Sequence, residues 1–231
     1  FPESFIMAEI MDDEIFKVMR TTTTFARADI PFTGFTNGLG VLNNLNMPST
    51  LSEASFHSNL NEGRRLMNSA YRKSAAWSIV KSFLKFYNQD ALPFGEVGGL
   101  VTDNDGNALN DIEITFAPGT PQEKVYNGDQ FLNGYYMFDR INPGTYDVRF
   151  DKFGYEAQIK SITIEAGLYT EIDASLNVVG GAPSEPKLTF IGNPGTETGV
   201  SAAWEQNPET TLLGYRLYYA IDDSLNNLFN N

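Results

Sequence analysis

Apolar residues recur every three or four positions in two stretches near the start of the chain. The earlier stretch runs from Met7 to Val18, and the later one from Asn61 to Tyr87. This is the period of an α-helix with one apolar stripe, so we predict helices over both stretches. Asn68-Ser69 is suited to cap a new helix start, which divides the later stretch into a short helix and a long one.

The charged side chains of these helices are expected to lie away from the apolar stripes. Asp12, Asp13 and Lys17 would face water from the first helix. In the long helix, cations such as Lys81 and Lys85 are expected mostly opposite a wide apolar face. That face is predicted to comprise Leu66, Met67, Ala70, Tyr71, Ser74, Ala75, Trp77, Ile79, Val80, Phe83, Leu84 and Tyr87.

Two short runs between the helices indicate strands. Val41-Leu42 and Thr50-Leu51 have the character of short buried strand cores, and a turn-like Asn-Leu-Asn-Met-Pro segment separates them. Residues 1–94, which end at a boundary around Pro93, are therefore expected to be part of an α/β domain.

After this boundary the pattern changes to alternation of apolar and polar residues, with turns every 8–12 residues or so. Residues 95–179 are therefore predicted to form an antiparallel β-sandwich. Its half-buried strands are expected at Glu113–Phe116, Tyr135–Phe138, Tyr146–Phe150 and Ile162–Ile164, with turns at Asp105-Gly106, Asn133-Gly134, Pro143-Gly144 and Phe153-Gly154.

A second linker, Val179–Pro183, precedes the last segment. Strands are predicted at Leu188–Phe190, Val200–Trp204 and Gly214–Tyr219. Three strands do not close a sandwich, so residues 183–231 are expected to be an incomplete second β-sandwich. The chain is thus predicted to be multi-domain.

Charge and composition narrow the function classes. The chain has 231 residues, a net charge of −13, no cysteine and one histidine. From Phe1 to Phe94 the nine acidic residues balance nine basic ones, so the whole excess lies after Phe94. An acidic surface repels phosphate backbones, so nucleic-acid binding is not expected. No apolar run is long enough to predict a transmembrane helix, and no signal peptide is visible at the start.

Residues 36–88 resemble a known enzyme family. The run NMPSTLSEASFHSN from Asn46 to Asn59, followed by EGRRLMNSAYRKSAAWSIVKSFLKFY, is similar to the C-terminal part of zinc-dependent N-acetylmuramoyl-L-alanine amidases, which cleave peptidoglycan. The matching positions are Met47, Pro48, Leu51, Glu53, Phe56, Asn59, Glu62, Leu66 and Tyr71.

This resemblance implies a site around Glu53. Glu53 would be the catalytic carboxylate at a strand end, exchanging protons with a zinc-bound water. His57 and Asn59 follow in the same loop and would contact substrate. Without the resemblance, Glu53 is an ordinary strand-end carboxylate, and a lone histidine such as His57 more often bonds locally than binds a metal.

The zinc ligands of this family lie upstream, and the chain has no histidine before His57. We therefore expect zinc only in the parent protein, with ligands in a missing upstream part of the chain that would also partner the first module. Ala54-Ser55 replaces the Gly-Gly that often follows the glutamate in the family. The chain alone is expected to be inactive.

The other two modules also resemble known families. Gly98–Asp103, Gly106–Leu109, Ile141–Tyr146 and Phe153–Tyr155 are similar to the carboxypeptidase regulatory-like, transthyretin-like sandwich, which is a non-catalytic module. Trp204 and Tyr215–Tyr219 resemble the start of a fibronectin type III domain.

These resemblances imply a fragment of a secreted bacterial cell-wall hydrolase, located in the periplasm, outside the cell or at its surface, with peptidoglycan or a surface glycan as partner. One alternative is an inactive structural or adhesive surface protein. Another is a polysaccharide-directed, xanthan-lyase-like protein.

Two smaller features have competing interpretations. Asp103–Asn107 has the residues of half a calcium loop but also of an ordinary Asx-rich turn, and no glutamate stands where a calcium loop needs one. Of Tyr135-Tyr136 and Tyr218-Tyr219, one residue of each pair is either exposed for stacking on sugars or packed across strands.

Overall fold

A computed structural model describes residues 2–179, 187–192 and 201–207. The chain divides into two compact units, Phe1–Asn177 and Val178–Asn231. The predicted first and second modules thus lie within one unit, where helices pack on a β-sandwich.

The first predicted helix is confirmed as α1, Glu3–Met19. Its buried side chains are Met7, Met11, Glu14, Ile15, Val18 and Met19, which repeat at three and four residues. Asp13 and Lys17 are exposed, as predicted, and form an ion pair of 2.6 Å. The helix ends at Arg20, whose φ of 53° is left-handed and stops the helical repeat.

The predicted short and long helices are confirmed as α3, Leu60–Met67, and α4, Ser69–Phe86. Asn68 separates them in an extended conformation, and its side-chain oxygen accepts hydrogen bonds from the backbone N–H groups of Ala70 and Tyr71. This satisfies two of the N–H groups that every helix start leaves without partners.

The buried face of α4 differs from the predicted one. It consists of Ala70, Tyr71, Ser74, Ser78, Lys81 and Ser82. Ile79, Val80, Phe83 and Tyr87 are exposed instead. Small serines admit close packing, and each donates to the carbonyl four residues earlier, which satisfies its hydroxyl without water. Lys81 is buried because Glu96 on the sheet provides its counter-charge.

Residues 20–59 contain no strand. The predicted strands at Val41-Leu42 and Thr50-Leu51 are wrong: Gly40–Leu42 is a 3₁₀ helix, and residues 50–51 are irregular. A further short helix, α2, spans Asp29–Thr33. No strand forms there because none of the described residues 2–94 pairs with these segments. Without a partner strand, backbone N–H and C=O groups are no better hydrogen-bonded than they are to water. Within this range the expected α/β sheet is therefore absent.

The predicted β-sandwich is confirmed, and each of the four predicted strands is present. One sheet has the order β4-β1-β7, with β8 pairing further along β1, and the other has the order β3-β2-β5-β6. The strands are β1 Gly95–Asp103, β2 Glu113–Phe116, β3 Lys124–Asn127, β4 Tyr135–Ile141, β5 Gly144–Asp151, β6 Gln158–Ile164, β7 Tyr169–Glu171 and β8 Ala174–Leu176.

The sandwich is not wholly antiparallel, which corrects the prediction. β7 and β8 both run parallel to β1. They are joined by a corner that crosses β1 very closely, since a Cβ on Gly99 would lie 2.1 Å from the carbonyl oxygen of Ile172. Only glycine fits there. Parallel strands as short as β7 and β8 contain too few residues to show a recognisable alternation of apolar and polar positions in the sequence.

Two hydrophobic cores meet at the first sheet. Between the sheets lies a core that includes Val97, Tyr136 and Phe138. On the other face, Tyr135 and Met137 pack with residues of α1 and α4. β4 is therefore buried on both faces rather than half-buried as predicted, because successive residues of a strand point to opposite sides and both sides are covered.

In the second unit, the described residues form β9, Leu188–Gly192, and β10, Ser201–Trp204, which pair antiparallel. Both lie at predicted strand positions. The third predicted strand, Gly214–Tyr219, lies outside the described residues.

Asn68 provides a test of the joint between helices and sandwich. Besides capping α4, its Nδ2 donates to Tyr126, Asn133 and the Tyr135 carbonyl. We expect Asn68→Ala to lower the free energy of unfolding by about 2–4 kcal/mol, because both the cap and buried partners are lost. Urea denaturation followed by circular dichroism measures this.

Asn59→Ala is the matched control. Asn59 caps α3 in the same way but is exposed and has no tertiary partner among its hydrogen bonds in the described chain. Its loss should cost about 1 kcal/mol or less. Equal effects of the two substitutions would show that the contacts of Asn68 with the sandwich contribute nothing.

Candidate functional site

Glu53, the predicted catalytic carboxylate, is exposed and lies in irregular chain. The strand end that the resemblance assigned to it is not present. The adjoining residues are held to the helices, since Ser55 Oγ lies 2.9 Å from the Tyr71 hydroxyl. That hydroxyl also donates to the carbonyl of Met19. The structure therefore fixes the adjoining segment but leaves the carboxylate of Glu53 exposed.

The two predicted substrate-contacting residues lie nearby. His57 is exposed in a turn. Asn59 is the N-cap of α3, accepting from the N–H groups of Asn61 at 3.0 Å and Glu62 at 3.2 Å. Glu62 in turn accepts from the Phe56 N–H at 2.6 Å. These contacts organise the start of α3, and contact with a substrate stays a prediction.

The described residues offer no metal centre. No group of three or more His, Asp or Glu side chains in the described ranges could hold an ion. Asp103, the first residue of the calcium-like run, uses its carboxylate to accept from the N–H groups of Asp105 and Asn107. It also accepts from the Asn107 side chain. These hydrogen bonds are those of an Asx turn.

The most unusual charged group is a buried ion pair between the helices and the sheet. Lys81 Nζ of α4 lies 2.8 Å from Glu96 Oε2 of β1, and the side chains are 5% and 2% exposed. Glu96 Oε1 has no hydrogen-bond partner. Burial raises the pKa of Glu96, and Lys81 partly offsets this because it stabilises the carboxylate.

Sequence reasoning missed this pair. The sequence pattern predicts Lys81 opposite the apolar face of α4, and it predicts no role for Glu96. A signal was available, because Glu96 stands in the run Gly95–Val101, whose other residues are apolar or glycine. A lone acid in such a strand requires a buried counter-charge.

Hydroxyl groups extend the polar contact along α4. Ser74 Oγ lies 2.6 Å from the hydroxyl of Tyr135, and burial raises the pKa of Tyr135 to about 12. Tyr136 points the other way and donates to the Ile172 carbonyl at 2.7 Å. Both tyrosines are buried, so this pair packs within the protein and neither residue is exposed for stacking on a sugar. Tyr218 and Tyr219 lie outside the described residues.

A second ionic contact joins α1 to α4. Glu14 is almost buried and accepts from Lys17 and Lys85. Burial opposes ionisation of Glu14, but hydrogen bonds and attraction from the two lysines outweigh this and lower its pKa. At the end of α1, Arg20 pairs with Glu171 and Asp173, so the helix is also fastened to the region of β7.

A shallow groove lies where α1 meets β7. Its volume is about 540 Å³, and it is lined by Phe16, Lys17, Arg20, Thr21, Tyr169 and Glu171. Both cations in its wall are already paired with carboxylates. The groove wall therefore has no cation without a counter-charge.

Comparison with known proteins identifies the sandwich. Residues 96–177 match the family model of the carboxypeptidase regulatory-like domain. This part of the chain is a carboxypeptidase regulatory-like domain. The resemblance seen in the sequence is confirmed for this module, and no curated protein matches the chain.

Several solved structures are similar to part of this chain at low identity. They include the PA1324 protein of Pseudomonas aeruginosa, 14% identical over 39% of this chain and 93% of that one, with a TM-score of 0.29. The Bacillus anthracis TIE protein is 12% identical over 42% of this chain and 21% of its own, with a TM-score of 0.32. GBS52, the minor pilin of Streptococcus agalactiae, is 14% identical over 43% of this chain and 50% of its own, with a TM-score of 0.31.

At these TM-scores the likenesses support no inference about function. The comparisons give no support for an amidase domain in residues 1–94. Within the described ranges, no helix combines the length and the apolar character needed to span a membrane.

The Lys81–Glu96 pair predicts a pH-dependent mutant effect. Lys81→Met should lower the free energy of unfolding by about 3–5 kcal/mol at pH 7, because Glu96 becomes a buried, unpaired charge. Glu96 already has a raised pKa, and loss of Lys81 raises it further. The folded state then binds a proton more tightly than the unfolded one, so the loss should shrink as the pH falls from 7 to 5.

Urea denaturation at both pH values measures this, with Lys85→Met as control. Lys85 is half-exposed, and its partner Glu14 keeps Lys17, so the control should lose about 1 kcal/mol or less. An unchanged effect of Lys81→Met between pH 7 and pH 5 would contradict the proposed protonation of Glu96.

Proposed function

We propose that residues 1–177 form a non-catalytic structural module that holds a helical segment rigidly against a carboxypeptidase regulatory-like sandwich within a larger surface protein. The observation that carries this is the buried Lys81–Glu96 pair, which joins helix and sheet where both charged side chains are almost fully removed from the surface. A pair of this kind fixes one relative position of two elements, because any other leaves charges unpaired.

Specific contacts are repeated along α4. Asn68 bonds to Asn133 and to Tyr135 at the helix start, and Ser74 meets Tyr135 nearly two turns later. Trp77 Nε1 donates to Asp139 at 3.0 Å. Lys81 completes the series. Because directional bonds recur over several turns, rotation or sliding of the helix would break many of them together.

Three features of the described residues also support a non-catalytic role. In the described part of the chain, Glu53 is exposed, the groove between α1 and β7 is shallow, and no metal-binding set of side chains is present. Hydrolysis by a zinc amidase therefore stays a prediction about upstream parts of a parent protein, as does its export. A structural or adhesive surface protein is the interpretation that we favour.

Rigid coupling is testable with spin labels, since the chain has no cysteine to compete with introduced ones. We expect the pair Ala76→Cys and Glu113→Cys, both exposed, to give a single narrow distance distribution by pulsed electron paramagnetic resonance. The same labels with Lys81→Met added should give a broader distribution, because the fixing ion pair is lost. A broad distribution in the parent pair would refute a rigid module.

A separate assay addresses catalysis. The full 231-residue chain, supplied with Zn²⁺ and purified peptidoglycan, should release no stem peptide above the level of Glu53→Gln. Mass spectrometry of the soluble products detects the release. Activity that depends on Glu53 would overturn the non-catalytic assignment.

A further inference from the structure

A β-bulge interrupts β4 at Asp139 and Arg140. Gly95 pairs with Ile141, but Val97 pairs with Phe138, so two residues of β4 stand opposite Glu96 alone. Arg140 has a φ of 55°, a left-handed conformation that strains any residue with a Cβ. Bulges of this kind redirect side chains, and glycine is the residue that fits them best. A strained arginine at such a position needs a reason beyond folding.

The bulge sends its two side chains to different partners. Asp139 accepts from Trp77 Nε1 at 3.0 Å and pairs with Lys73 at 2.8 Å, so its charge is compensated. Arg140 is exposed, with its guanidinium carbon 5.7 Å from the centre of the Trp77 ring. None of the ion pairs among the described residues involves Arg140.

A third cation completes the cluster. Lys124 Nζ of β3 donates to the carbonyl of Asp139 at 2.7 Å and does not pair with a carboxylate in the described ranges. Burial, together with the nearby Lys73 and Arg140, lowers the pKa of Lys124. Three cations thus surround one carboxylate, in a chain whose net charge is −13. We call Lys73, Trp77, Lys124 and Arg140 the bulge cluster.

We propose that the bulge cluster binds the carboxylate of an acidic polysaccharide, such as a polyuronate. A guanidinium binds a carboxylate through two parallel hydrogen bonds, and Arg140 is the exposed cation free to do so. Trp77, half-buried and edge-on to Phe94 at 5.4 Å, offers an apolar ring beside the charges. A uronic acid presents the same combination, a carboxylate on a ring with apolar C–H faces.

The small charge of the bulge cluster argues against a ligand with a higher density of negative charge. Nucleic acid engages many phosphates at once and requires an extended basic surface. The three cations of the cluster and the neighbouring carboxylate of Asp139 together leave a local surplus of two positive charges, within a sequence that is acidic after Phe94. A polymer with one carboxylate per sugar matches a small cationic cluster on an acidic protein. This proposal does not depend on the structural role argued above, and rigid coupling would stand without it.

The test is calorimetric titration of the full chain with hexagalacturonate at low ionic strength. We expect binding to the parent protein and a weakening of at least about tenfold in Arg140→Gly, because the bidentate contact is lost. Glycine relieves the positive φ, so this variant should fold as well as the parent or better by thermal denaturation. Arg149→Gln, which removes one cation from the other sheet, is the control and should bind as the parent does.

Three results would overturn the proposal. Equal affinity of Arg140→Gly and the parent protein would exclude Arg140 as the contact. Equal binding of the neutral cellohexaose would exclude recognition of the carboxylate. Equal binding of a poly-glutamate peptide or inorganic phosphate would show an unspecific anion patch rather than a glycan site.

Discussion

The sheet that contains β1 and β4 is buried on both faces, and most properties of the Phe1–Asn177 unit follow from this. β4 directs Tyr136 and Phe138 into the sandwich and Tyr135 and Met137 towards α1 and α4. A sheet in this position can present no polar side chain to water from the middle of its strands. Every polar group there must find a partner within the protein, or its desolvation goes uncompensated.

Glu96 is the group on which that constraint is most severe. Its carboxylate lies between sheet and helices, and Lys81 is the cation that reaches it. A buried ion pair adds little net stability, since desolvation offsets much of the attraction. It does select one arrangement. Sliding α4 by one turn, about 5.4 Å, would leave two unpaired buried charges, whereas apolar contacts alone would tolerate such a shift more readily.

This constraint links the fold to the functional conclusions. Because α4 is fixed at Lys81, Trp77 is held against Asp139 and beneath Arg140 at the bulge of β4. The helical layer therefore supplies part of a surface that the sandwich alone would not possess. The segment around Glu53, in contrast, lies outside the sheet, and its carboxylate is exposed.

The sequence by itself determined the elements whose patterns are local. The period of α1, the cap at Asn68 and the alternation in β2, β5 and β6 all predicted what is observed, since each depends on one element meeting one apolar surface. The period of α4 predicted the helix but not the face that is buried. Tertiary structure decided the rest. Val41-Leu42 formed no strand because none of the described residues 2–94 pairs with it. Lys81 turned inward because Glu96 is buried there, and Tyr135 was covered because helices occupy the second face. Such outcomes depend on residues distant in sequence, which no local pattern records.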